Sequence, residues 1–128
     1  MKKLDDIIKD SISNEDMEFI KDKLQNIDLR FYNKLLSLVQ YVYNIEDILT
    51  TRCKRASIAK KVFLYLLHEM GDMTYKEIGF TYNIDLRTIY LAKKYITNNL
   101  SKDYILREKI ELIKSIMSYD SNKFQGSN

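Results

Sequence analysis

The chain has 128 residues, 45% hydrophobic and 30% charged, with three glycines and no proline, a balance that suits one soluble helical domain and excludes a disordered or turn-rich sheet protein. No apolar run approaches the ~20 residues of a membrane span, and the acidic start Met1-Lys2-Lys3-Leu4-Asp5-Asp6 is not a secretory signal. The net charge of +3 is unevenly spread: residues 1–50 hold 7 Lys and Arg against 10 Asp and Glu, whereas residues 51–128 hold 14 against 8. A basic surplus confined to one part of a chain is expected where that part approaches a polyanion.

A short amphipathic segment opens the chain, with Leu4, Ile7, Ile8 and Ile12 at helical spacing. Ser13 and Asp16 predict the start of a second helix carrying Met17, Ile20 and Leu24. A longer helix is expected from near Asp28, with Phe31, Leu35, Leu38, Val39 and Val42 on one face, ending at Tyr43-Asn44. Ile45 to Leu49 read as a short helical turn.

Residues 50–61 form a polar, basic stretch holding Arg52, Lys54, Arg55, Lys60 and Lys61 without one carboxylate. The following Val62-Phe63-Leu64-Tyr65-Leu66-Leu67 is apolar all round, so residues 62–70 are expected to be the most buried helix, with Gly71 as its cap. Thr74 and Glu77 form a capping box that opens a short helix over 74–82. Asn83 suits a left-handed turn, and Asp85 caps a helix that runs through Ile89, Ala92 and Ile96 to about Asn99. A last helix, roughly 102–118, carries Leu106, Ile110, Ile113 and Met117. The predicted fold is all-α, about six helices without a sheet. Its expected divisions are a helical extension at 1–34, a main domain at 35–118 and a flexible tail at 119–128.

Two short helices joined by three or four residues are often a plain helical hairpin, but details here favour a helix-turn-helix. Gly79 would let the second helix approach closely, while Ile78 and Ile84 face inward beside the turn. That leaves Asp85, Leu86, Arg87 and Thr88 at the start of the second helix, with Lys93 and Lys94 further along. In such a motif the start of the second helix meets base edges in the major groove. Arg87 can donate bidentately to guanine, Thr88 can touch a thymine methyl or a phosphate, and the two lysines suit phosphates. The DNA-binding candidates are thus Arg52, Lys54, Arg55, Lys60, Lys61, Asp85, Leu86, Arg87, Thr88, Lys93 and Lys94, with double-stranded DNA as partner.

Taken together, Val42-Tyr43-Asn44-Ile45-Glu46-Asp47-Ile48-Leu49, the basic run Arg52 to Lys61, Phe63 to Met70, Thr74-Tyr75-Lys76-Glu77-Ile78-Gly79 and the helix Asp85 to Ile96 resemble the C-terminal DNA-binding domain of the DnaA family. That family comprises bacterial replication initiators and lies in the TrpR-like helix-turn-helix superfamily. The resemblance implies a basic loop that inserts an arginine into the minor groove, with Arg52, Lys54 and Arg55 as candidates, and a reading helix in which Asp85 and Thr88 match family residues. The turn departs from the family's Gly-Gly-Arg-Asp-His-Thr-Thr. Here Asn83-Ile84-Asp85-Leu86-Arg87-Thr88 is one residue shorter, with Ile84 for the arginine, Leu86 for the histidine and Arg87 for the first threonine. These changes put binding to the family's usual recognition box in doubt and keep a helix-turn-helix transcription regulator as an alternative. No Gly-x-x-x-x-Gly-Lys-Ser/Thr string occurs, so nothing in this sequence cradles a triphosphate.

Other chemistry is weakly represented. His68 has no partner ligand for a metal, and a structural role is expected. Cys53 is the only cysteine, which excludes an internal disulfide and a multi-cysteine zinc site. No residues pair into a catalytic triad, so neither an enzyme nor a cofactor is expected. A cytoplasmic, nucleoid-associated location is the default. A protein-interaction module that has kept such a fold is the remaining alternative, with the acidic first 50 residues as its surface; residues 1–34 are the expected place for a protein partner.

Overall fold

Helices supply all the regular structure among the described residues, as expected. The computed structural model describes residues 29–125 and Glu18, so the two helices expected before Asp28, and most of the proposed extension at 1–34, lie outside the described residues. Five helices follow in order: α1 Arg30–Tyr43, α2 Lys54–Glu69, α3 Tyr75–Tyr82, α4 Leu86–Asn99 and α5 Tyr104–Gln125.

Helix α1 buries Tyr32, Leu35, Val39 and Tyr43, a stripe at helical spacing that faces α2 and α5. It stops at Asn44, which is left-handed at φ 55°, with its N–H turned back to the carbonyls of Gln40 and Tyr41. In place of the short helical turn expected at Ile45–Leu49, a single turn forms slightly later, at 48–50, closed by the Thr51 N–H on the Asp47 carbonyl at 3.3 Å. Asp47 caps that turn, its carboxylate accepting from the N–H of Leu49 at 2.9 Å and from the Thr50 hydroxyl. These hydrogen bonds, the Thr50 hydroxyl first, hold the exposed Asp47 carboxyl below its usual range.

The basic stretch is not a loop throughout. Its second part is the start of α2, because Cys53 caps the helix by accepting from the Ala56 N–H at 3.4 Å and because Ala56 and Ala59 are fully buried. From Val62 to Leu67 every side chain of α2 is buried, and the helix packs against α1, α3 and α4. Each large side chain of that run contributes about 1.5–3 kcal/mol by burial, so α2 is the centre of the core.

The cap of α2 falls on Met70 rather than on the expected Gly71, which does not take a positive φ. A Cβ on Gly71 would stand 2.7 Å from the Leu67 carbonyl oxygen and 2.7 Å from the Tyr32 ring. Asp72, at φ 56°, takes the left-handed turn instead. The Tyr32 hydroxyl donates to the Gly71 carbonyl at 2.9 Å, which ties the end of α2 to α1. Asp103 opens α5 by accepting from the Leu106 N–H at 3.0 Å. Leu106, Ile110, Ile113 and Met117 are buried as expected, and the helix continues to Gln125, past the expected end near 118. No helix among the described residues is long and apolar enough to cross a membrane.

Candidate nucleic-acid interface

The α3–α4 pair is built by local chemistry. The Thr74 hydroxyl accepts from the Glu77 N–H at 3.2 Å, and the Glu77 carboxylate accepts from the Thr74 N–H at 3.1 Å. This is the expected capping box, and it keeps Glu77 satisfied although only 3% exposed. Asn83 ends α3 in the left-handed conformation, φ 53°, and its N–H donates to the Gly79 carbonyl. A Cβ on Gly79 would stand 2.8 Å from the Ile84 carbonyl oxygen and 3.2 Å from Leu86. Glycine is therefore what lets the start of α4 cross α3 this closely. Asp85 then caps α4 through the Arg87 N–H at 3.2 Å.

Helix α4 buries Leu86, Ile89, Ala92 and Ile96 against α2 and α3. Its exposed side carries Arg87, Leu91, Lys94 and Asn98, spaced i, i+4, i+7 and i+11, with the exposed Thr88 beside them. Two expected site residues are absent from this face. Leu86 is 7% exposed and packs near Gly79, so its side chain belongs to the core. Lys93 is half-buried on one flank, its Nζ 5.7 Å from the Tyr75 ring centroid. Leu91, which the sequence reading did not single out, is 43% exposed and lies between Arg87 and Lys94. Its signal was the four-residue step from Arg87, outside the period of the buried stripe.

The basic stretch divides into two flanks at the start of α2. Arg52, Lys54 and Lys60 line an open basin with Thr50, Thr51 and Ser57, and no carboxylate lines it. Arg55 turns the other way, its guanidinium donating to the Asn44 carbonyl at 3.4 Å and its side chain lining a separate cleft toward α5. Lys61 bridges elements. Its Nζ donates to the Ser57 hydroxyl at 2.8 Å and stands 5.2 Å from the centroid of the Tyr95 ring of α4. Ser57 belongs to the basin, and Tyr95 lies two turns along the flank from Thr88. The basin and the exposed side of α4 are thus linked by one side chain. Cys53 is exposed at the basin's edge. His68 takes a structural place, with Nδ1 2.9 Å from the Met73 carbonyl oxygen and its ring against Tyr75.

A stretch of 108 residues, 84% of the chain, is 25% identical to the chromosomal replication initiator protein DnaA of Thermoanaerobacter sp. (strain X514). The same extent and identity hold for DnaA of Thermoanaerobacter pseudethanolicus (strain ATCC 33223 / 39E). The chain is similar in sequence to DnaA. It spans about 22% of the length of these DnaA relatives. No family model matches the chain, and no solved structure does.

Proposed function

We propose that this chain is a replication-initiator-like domain that binds double-stranded DNA. In this reading α3 and α4 act as a helix-turn-helix, with the start of α4 in the major groove. Arg87 and Thr88 meet base edges, Leu91 offers an apolar surface to a thymine methyl, and Lys94 meets a phosphate. Arg52, Lys54 and Lys60 lie over the neighbouring minor groove or its phosphates, where a narrow groove attracts an inserted arginine. Asp85 holds the helix start rather than reading bases. The reading assigns no catalysis and no cofactor, and it implies a cytoplasmic, nucleoid-associated protein. Residues 1–34 are proposed as the surface for a protein partner.

The observation that most supports this reading is Lys61 on Tyr95, which links the basic start of α2 to one flank of α4. A regulator of transcription is the second reading, favoured by the apolar Ile84 and Leu86, which give the turn an ordinary packed form. Selection from random duplexes, followed by binding to selected and scrambled DNA at several salt concentrations, tests the proposal. An enriched motif is expected, together with a log–log salt slope of about −4 to −5 if Arg52, Lys54, Lys60, Lys61 and Lys94 each neutralise one phosphate. Absence of salt-dependent binding would remove the reading and leave a protein-interaction module.

A further inference from the structure

Helix α5 carries two apolar stripes. Leu106, Ile110, Ile113 and Met117 form the buried one. Ile105, Leu112 and Ile116, at i, i+7 and i+11, form a second on its outward side, where Ile105 is 65% and Leu112 50% exposed. Beside α1, Leu112 and Lys109 border an open groove with Tyr41 and Val42, and the groove continues past the end of α1 to Ile45. Tyr41 is 82% exposed. Apolar side chains scattered singly are ordinary at a surface, but a stripe that meets a groove marks a place where another element packs.

A segment of the same chain fits this groove. Residues 13–27 lead directly into α1, and Met17, Ile20, Leu24 and Ile27 fall on one side of a helix, with Glu15, Glu18 and Asp22 on the other. Glu18 is helical and exposed. Asn26 and Asp28 are residues that favour turns, so the sequence suits a reversal of the chain just before Arg30. From such a turn, residues 13–25 would run back along α1 for ~20 Å at about 1.5 Å per residue. Helix α1, with 14 residues, is about as long. Charge agrees with this pairing: residues 13–28 hold five carboxylates and two lysines, whereas α1 holds Arg30 and Lys34 and no carboxylate. We infer that residues 13–25 fold back against α1 and cover the groove, with Met17 and Ile20 on Leu112 and Ile116. The acidic side then faces outward, where it remains for the protein partner proposed above. The docking stands whether or not the chain binds DNA.

A nitroxide on the whole chain tests this. It is attached through Ser115→Cys, an exposed position three residues after Leu112, with Cys53→Ser to leave a single thiol and a capping oxygen at α2. Amide NMR is expected to show residues 14–22 broadened by the label. Leu112→Glu, at a half-exposed side chain, should remove that broadening while the signals of α2 to α4 stay in place. Met17→Glu should do the same from the other side of the contact. In either variant the amides of residues 14–22 should exchange with solvent about tenfold faster. A mixture of isotope-labelled chain without nitroxide and unlabelled chain with it is expected to show no broadening. Broadening in that mixture would mean that a second copy fills the groove and would overturn the assignment. So would unbroadened signals for residues 14–22 in the labelled chain itself, or broadening that both variants leave intact.

Discussion

The Nζ of Lys61 stands 5.2 Å from the centroid of the Tyr95 ring while donating to Ser57 at 2.8 Å, so one ammonium joins α2 to α4. A partly exposed contact of this kind contributes about 0.5–1 kcal/mol, too little to hold the fold. Its importance is electrostatic, because it continues the charge of Arg52, Lys54 and Lys60 onto α4. Lys61→Ala should weaken binding to every duplex alike and flatten the salt slope by about 0.9, while Lys61→Arg should restore both. A loss confined to the selected sequence would show that Lys61 does not meet a phosphate.

Arg87 should carry specificity, since a bidentate contact to guanine is worth about 1–3 kcal/mol against the wrong base. Arg87→Ala is expected to weaken the selected duplex by that amount and scarcely alter a scrambled one. If both fall by the same factor, α4 does not read bases through this residue.

The two adjacent lysines of α4 should behave differently. Lys94 is exposed on the face with Arg87, whereas Lys93 is half-buried with its ammonium over Tyr75. Lys94→Ala should flatten the salt slope by about one unit, and Lys93→Ala should leave it unchanged. Measured slopes in the reverse order would place the groove on the opposite flank of α4.

Gly79→Ala tests the crossing of α3 and α4. In an open helix alanine would gain about 0.5–1 kcal/mol over glycine. Here the new methyl would meet backbone, the Ile84 carbonyl at 2.8 Å, so a loss of about 1–3 kcal/mol is expected in urea unfolding. A more stable variant would mean that the crossing does not require glycine.

Tyr43→Phe removes a buried hydroxyl without a partner and should raise stability by about 1 kcal/mol, or about 3–5 °C in Tm. The same change bears on alkaline unfolding. Burial pushes Tyr43 and Tyr82 up to about 12, from 10.0. Between those values the unfolded chain releases protons that the folded chain keeps, so stability intact below pH 10 falls as pH rises toward 12. With one of the two phenols gone, the variant should show a shallower fall across that window, measured as denaturation midpoints from pH 9 to 11.5. An unchanged slope would show that Tyr43 ionises normally in the fold.

The sequence by itself determined whatever depends on neighbours along the chain. Thr74 with Glu77, Asn83 and Asp85 each close hydrogen bonds within about three or four residues, so their roles were legible from spacing alone. The apolar run at 62–67 likewise announced the central helix, since no orientation of it leaves a polar face. Tertiary structure decided which way the flanking side chains point. Leu86 and Arg87 are successive residues, yet a step of about 100° around the helix sends one into the core and the other outward. Arg52 and Arg55 part likewise, Arg52 lining the basin and Arg55 the cleft toward α5, while Lys54 borders both. Gly71 gave a local signal for a cap, but the close neighbour that excludes a side chain there includes Tyr32, 39 residues away. Capping energies are set within one turn, whereas the covered side of a helix is set by elements remote in the chain, and these came together only on folding.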